Sequence, residues 1–460
     1  MSDPSISKSS SSTAQTVLRE GLVTFLLGIS MVLVIMNTMM FNLALPDVSR
    51  SFSISPSATS WIVTGYSIVM AISSITYSRL SDFLPIRRLF IIGLASLGIA
   101  SIIGFFSNSF VPLLVARLLQ ASGAGSIPAL SLVLVSRYIP MQRRGKAMAT
   151  VMSAASLGLG LGPVAGGAIV EYMGWHYLFA VTAISLILIP FIVTLIPKEK
   201  LAKGTFDALG ALFIGIGTTG LLLFLTSQSW LALVAGLAAL ILFVIRIHRT
   251  AEPFVQPALF RNRTYLTLGA VGIAAYLCSF ATLFLMPQIL VHRFGLSAIA
   301  SGLVIFPGSL LAMLVSRRVG KIIDRYGNGS IIRYIPLLVL GSVVLFALFV
   351  STSYISILLI YIPLSVGFTF LTSSISNEMS RILPQSQIGS GLGLFQLLQF
   401  FSGAFGVAIT ASALVWQKNL PLSTAYSNIY WGLAIIVLLS IGCSQLYSRF
   451  TTRAVAAQES

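Results

Sequence analysis

The chain is poor in charge. Asp, Glu, Lys and Arg make up 8% of its 460 residues, against about 25% in soluble globular proteins. Acids are the scarcer sign, 11 against 28 basic residues. Among all of these, only Arg117 falls well inside a long apolar run. An ion at mid-bilayer costs several kcal/mol, so this exclusion is what a chain that crosses a membrane many times requires. Cysteine is almost absent. Cys278 and Cys443 both lie in apolar runs and read as packing residues, which rules out a disulfide framework as the basis of the fold. His176, His248 and His292 stand alone, without companions at ligand spacing, so no metal site is expected. Gly145-Lys146 is followed by Ala147, not Ser or Thr, and no other phosphate-cradling loop exists. Paired carboxylates, Ser/His/Asp sets and Cys/His clusters are missing too. No cofactor is implied, and neither hydrolytic catalysis nor ATP-driven work by this chain alone is expected.

What the chain has is apolar length. Hydrophobic residues reach 56%, with a mean hydropathy of +0.96. Runs close to the roughly 20 residues that a membrane helix needs lie near 22–44, 59–79, 89–107, 110–136, 147–169, 175–196, 208–228, 230–247, 265–290, 298–316, 333–351, 354–376, 389–415 and 426–447. They predict an all-α integral membrane protein of 14 transmembrane helices, with a very tight turn at Ser229-Trp230. If both termini are cytoplasmic, 24 Lys and Arg fall in cytoplasmic segments and three (Arg50, Arg293, Lys418) outside, as the positive-inside rule demands. The net charge of +17 is thereby explained as topology. It is spread over many short loops, with no basic domain, and does not indicate nucleic acid. Residues 1–21, Ser-rich and polar, read as a disordered cytoplasmic tail.

The chain repeats itself. Arg79 to Arg88 and Gly320 to Gly327 each place one Asp among basic residues in a short turn, and Asp82 and Asp324 stand 242 positions apart. Pro140, Gly145 and Gly162 match Pro384, Gly389 and Gly406, each 244 apart. The offset equates span 2 with span 10, so two spans are inserted between two pseudo-symmetric six-helix bundles. The expected domains are a bundle over 22–197, two inserted helices over 198–250, a second bundle over 251–448 and a cytoplasmic tail over 449–460.

Several polar groups interrupt the spans. Arg117, with Gln120 one turn on, needs partners or a wet cavity at that depth. Asn37 and Asn42 in span 1, Tyr66 in span 2, and Gln396 and Gln399 in span 13 fit either interhelical hydrogen bonding or ligand contact. Met36, Met39 and Met40 beside Asn37 read either as an adaptable pocket wall or as ordinary packing. Span 5 carries Gly158, Gly160, Gly162, Pro163, Gly166 and Gly167. Gly158, Gly162 and Gly166 share a face that lets another helix approach closely, and Pro163 suggests a bend. Asp82, with Arg87 and Arg88, and Asp324, with Arg325, read as a repeated switch between the halves, ahead of the alternative of solvated loop charges.

These residues resemble the major facilitator superfamily. Asn37 through Asp47 resembles its span 1 motif, Arg79 to Arg88 its loop 2–3 motif, Arg117-Leu118-Leu119-Gln120 its span 4 motif, and Gly158 to Gly167 the span 5 motif of antiporters. Asp207 with Gly210 resembles the start of the extra span pair. The chain is most similar to the 14-span drug:proton antiporter group, and within it to the tetracycline exporters of Gram-positive bacteria. The resemblance covers nearly the whole chain beyond the tail. It departs where Ser78 and Pro85 replace the loop motif's glycines. It departs again where Thr38 and Gly403 align with carboxylates buried in the exporters' spans 1 and 13. No carboxylate lies deep in any span here, so Asp207 and Asp324 are the proton-carrier candidates.

The resemblance implies a monomeric transporter in the bacterial plasma membrane, working by alternating access and exchanging a small amphipathic drug such as tetracycline for protons. Arg117 is expected to face the cavity and orient an anionic or metal-chelated cargo. Two other readings stand beside this one. The first is a proton-independent or differently coupled transporter of a lipid or metabolite. The second is a membrane sensor or scaffold on a transporter fold.

Overall fold

A computed structural model describes residues 20–54, 56–197, 199 and 206–459. The side chains of Asn42 and Asp324 lie outside the described residues, as does the tail before Glu20. The described residues contain helices and no strands. That outcome follows from apolar sequence in a medium where every backbone amide needs an internal partner.

The helices are α1 (Glu20–Phe52), α2 (Pro56–Leu80), α3 (Ile86–Phe105), α4 (Phe110–Tyr138), α5 (Met141–Tyr172), α6 (Tyr177–Leu195), α7 (Ala208–Ser227), α8 (Trp230–Arg249), α9 (Arg263–Phe294), α10 (Ala298–Phe349), α11 (Tyr354–Ile382), α12 (Ile388–Trp416) and α13 (Leu422–Glu459). Gly125 interrupts α4, and a 3₁₀ turn over Ile184–Ile187 interrupts α6. Among the described residues, twelve helices are long and apolar enough to span a membrane. Two further apolar stretches, Ala208–Phe224 of α7 and Ile299–Val315 of α10, are shorter over the described residues. Twelve of the expected fourteen spans are thus matched by full-length candidates among the described residues.

Local chemistry sets the ends. Asp207, Ser229, Asn262 and Ser297 each accept a hydrogen bond from the amide three residues on, the N-cap geometry that ends a chain of unpaired N–H groups. Gln228 takes a left-handed conformation (φ 57°) between α7 and α8, giving the tight turn expected beside Ser229. One expectation changes. The loop carrying Asp324 is helical up to Gly327, whose φ of 75° and ψ of 162° break α10 in two. Helix α13 continues through the segment from residue 449 to Glu459.

The glycine helix behaves as its spacing requires. A Cβ on Gly162 would sit 2.4 Å from Met39 Cβ, and one on Gly166 would sit 2.8 Å from Met40 Cα, so α5 lies directly against α1. Gly158 faces the same helix at Val32 and Ile35, whereas Gly160 faces Ser309 of α10. Helix α5 is thereby wedged between the first and second halves of the chain. Gly167 is buried, and α5 runs unbroken through Pro163. The pair α7–α8 is sealed by a second glycine contact, Gly220 against Gly236, and Gly215 of α7 rests on Ile72 of α2.

Candidate functional site

Helices from both ends of the sequence meet at a small central cavity. Met31 and Ile35 of α1, Pro128 of α4, and Met152, Ala155 and Leu159 of α5 form one wall. Tyr276 and Phe280 of α9, Phe368 of α11, and Gln396 and Phe400 of α12 form the other. The rings of Tyr276 and Phe280 stack, with centroids 5.8 Å apart and planes at 20°, and Phe368 and Phe400 present at steep angles to Tyr276. The space is contracted to ≈ 20 Å³, about enough for one water molecule. No ionised side chain lines it. Gln396 Oε1, and both amide atoms of Gln399 one turn along α12, are buried without a hydrogen-bond partner.

Arg117 is elsewhere than expected. It is fully buried, with its guanidinium 3.8 Å above the Phe41 ring and 4.1 Å from the Tyr66 ring. Its Nη1 donates to Gln120 Oε1 (2.7 Å) and to Asn37 Oδ1 (3.3 Å). The network closes through Asn37 to Tyr66 OH (3.1 Å), Thr182 to Asn37 (3.0 Å) and Gln120 to Ser101 (2.7 Å). Asn37, Tyr66, Arg117 and Gln120 thus come together as the sequence suggested. They do so as a sealed polar core joining α1, α2, α3, α4 and α6, not as cavity wall. Two aromatic faces take the place of a counter-ion. In this conformation Arg117 is absent from the wall of the central cavity, and its Nε and Nη2 are buried without a hydrogen-bond partner.

One end of the molecule, here called inner, is the end that carries Asp82, and it is closed. Asp82 accepts from Arg79 (2.8 Å) and from Arg137 of α4 (2.7 Å). Burial pushes its carboxyl above the ordinary range, against the pull of Arg137 and Arg79. Asp82 also presses on α12. A Cβ on Gly389 would fall 2.2 Å from Asp82 Oδ1, and Ser78 donates to the Gly389 carbonyl at 2.6 Å. Arg144 of α5 reaches across to Ser380 of α11, donating to its carbonyl (3.3 Å) and its hydroxyl (3.4 Å). Ser156 and Thr369 pair across the same seam at 2.7 Å. Arg87 and Arg88, expected as partners of Asp82, are not paired with it. Their places are taken by Arg79 and Arg137. Glu199, which the sequence did not single out, accepts from the Ile86 amide at the start of α3 (2.7 Å) and from the hydroxyl of Tyr138 at the end of α4. A recess of ≈ 870 Å³ opens on this face, walled in part by Asp82, Arg137, Glu199 and Arg261. Arg325 is exposed, in the second copy of the loop.

Asp207 is a structural clip. Its carboxylate accepts from Arg246 Nε of α8 (2.8 Å), the Gly210 amide (3.0 Å) and the Phe254 amide (3.2 Å), and its side chain is 1% exposed. Burial pushes the carboxyl up, but Arg246 and the two amides outweigh this and hold it below the usual carboxylate range. A group so held stays ionised at neutral pH, so in this conformation Asp207 is not poised to take a proton. Arg79 of the gate donates to the carbonyl of Pro253, the residue before Phe254, at 3.2 Å. Among the described residues, no group of three or more His, Cys, Asp or Glu is placed to hold a metal.

The sequence profile of the Major Facilitator Superfamily matches residues 27–407. The chain belongs to the Major Facilitator Superfamily. Among curated members, it is 28% identical over 432 residues to the riboflavin transporter RibZ of Clostridioides difficile (strain 630), covering 90% of this chain and 94% of that protein. It is 25% identical over 403 residues to the multidrug resistance protein Stp of Mycobacterium tuberculosis (strain ATCC 25618 / H37Rv), covering 84% and 74%. The fold is shared with the crystal structure of the human organic anion transporter MFSD10, with a TM-score of 0.69, 17% identity, and coverage of 93% of this chain and 99% of that one. This superfamily member is a multi-pass membrane transporter of small molecules, not an enzyme.

Proposed function

We propose that this transporter exports an amphipathic aromatic compound across the bacterial plasma membrane by alternating access, in exchange for protons. The observation that carries the reading is the central cavity. Four aromatic rings, two methionines and one amide surround it, contributed by helices from both halves, with no charge on the wall. Such a lining takes flat apolar bodies of varied shape, with adaptable thioethers filling the gaps. The closed inner gate beneath a contracted cavity is the expected form of one state in the cycle. In this reading the short helices of α7 and α10 also cross the bilayer, making fourteen spans. Residues 22–197 and 251–448 are the two bundles that rock as a monomer, with both termini cytoplasmic. Asp324 is the remaining proton-carrier candidate.

The relative Stp, by name a multidrug resistance protein, supports a drug as cargo. The relative RibZ favours a second reading, in which the cargo is a flavin. Inverted vesicles energised by respiration test both. Uptake of one member of a panel of tetracycline, cationic dyes and riboflavin is expected, with proton release on substrate addition and loss of uptake with an uncoupler. Uptake that survives the uncoupler would replace exchange by facilitated or differently coupled transport. No flux of any panel member above empty vesicles would overturn transport of this class and favour a sensor.

A further inference from the structure

We infer that Gln396 and Gln399 select an uncharged, flat, fused-ring compound that carries a lactam or imide edge. This rests on the reading of the central cavity as the cargo site. Both glutamines are essentially inaccessible, at 1% and 0% exposure. They lie three residues apart on α12 and so share a helical edge. Gln396 Oε1, Gln399 Oε1 and Gln399 Nε2 have no partner among the protein's own groups. Had these side chains been interhelical glue, the opposing helices would supply donors and acceptors. At the cavity wall, where Gln396 sits, they supply Tyr276, Phe280 and Phe368 instead. A buried amide without a partner carries its full desolvation penalty, and native chains keep such groups where another state or a ligand satisfies them.

The ring chemistry narrows the ligand. The stacked Tyr276–Phe280 pair, with two further rings set steeply to it, offers a face for a planar system. The wall holds no ion, so a charged ligand would lose its hydration without compensation. A primary amide presents a donor and an acceptor side by side. The matching edge carries a C=O next to an N–H, which lets one glutamine bind in two-point fashion.

The test uses the full-length protein in detergent and two probes. These are riboflavin, whose ring has an imide edge, and N3-methylriboflavin, in which that N–H is blocked. Binding is read from quenching of flavin fluorescence. The wild type should bind riboflavin about tenfold more tightly, the worth of roughly one hydrogen bond to a buried group. Gln396→Leu should bring the two affinities together and leave the melting temperature unchanged or raised, because the orphaned oxygen is gone. Gln399→Leu should act in the same direction. Equal affinities in the wild type, an unchanged preference in both variants, or a large loss of melting temperature without loss of preference would each overturn the assignment. If neither flavin binds while other panel compounds are transported, the edge preference falls and the transport reading stands. If no panel compound moves at all, the transport reading itself falls.

Discussion

Asp82→Asn should open the inner gate. The carboxylate holds Arg79 and Arg137, whose side chains are 6% and 15% exposed, at 2.8 and 2.7 Å. Asparagine keeps an acceptor but removes the charge, leaving Arg79 without its anion and Arg137 with only Glu199, at 4.0 Å. Removing one partner of a buried pair costs about 3–5 kcal/mol. Burial of the carboxylate opposes the pair, as the upward push on its pKa shows. The net cost to the closed state is therefore set lower, at about 2–3 kcal/mol. At 1.4 kcal/mol per factor of ten, the closed-to-open ratio falls roughly 30- to 150-fold. The penalty falls on the closed state because an open inner mouth admits water to both arginines. Spin labels at Phe83 and Gln385, which share the inner recess, would report the separation by pulsed electron resonance. Cys278 and Cys443 must first be replaced, since both are free thiols. The expected result is a short-distance population in the wild type and a dominant longer one in the variant. An unchanged distance distribution in a variant that melts like the wild type would refute the reasoning.

Three further outcomes follow from the same geometry. Gly389→Ala puts a methyl group 2.2 Å from Asp82 Oδ1, an overpacking of about 1–3 kcal/mol, and should shift the same label distances in the same direction. Asp207→Asn should lower the melting temperature by several degrees, since a buried charge bonded to Arg246 and two amides is lost. Because the Asp207 pKa is held low, its contribution is complete above about pH 4 and fades only as pH falls through the depressed value. Transport measured between pH 6 and pH 8 should thus change in parallel for variant and wild type. Arg117→Ala should destabilise the protein by about 3 kcal/mol or more, because it empties the space between Phe41 and Tyr66 and strips Gln120 Oε1 of its donor. Arg117→Met should recover most of that loss in thermal unfolding, since it refills the space without a buried ion.

How far the sequence reached depended on the range of each interaction. The apolar runs are local, so most of the helices, a tight turn beside Ser229 and the close-packing face of Gly158, Gly162 and Gly166 could be read directly. Asp82 and Arg79 were found in one motif. Arg137, 55 positions away on α4, was not, because nothing along the chain marks which basic residue will face a given acid. Gly389 was recognised as the repeat of Gly145, yet its contact with Asp82 belongs to the meeting of two halves. Arg117 was correctly singled out as costly, but its solution lies in Phe41 and Tyr66 on two other helices. The aromatic wall of the cavity was invisible for a simpler reason. Phenylalanines within a span look the same whether they touch lipid, neighbour or cargo, and only the orphaned glutamines on α12 carried a signal.

A single peptide unit ties α7 and α8 to the gate. The Pro253 carbonyl receives Arg79, and the following amide, that of Phe254, is spent on Asp207. The extra hairpin is therefore no passive graft in the lipid. Splicing residue 197 directly to residue 251 would yield a chain of familiar twelve-helix layout, yet it would cast off the anchor against which the latch arginine pulls. Such a shortened protein should insert and fold, and leak.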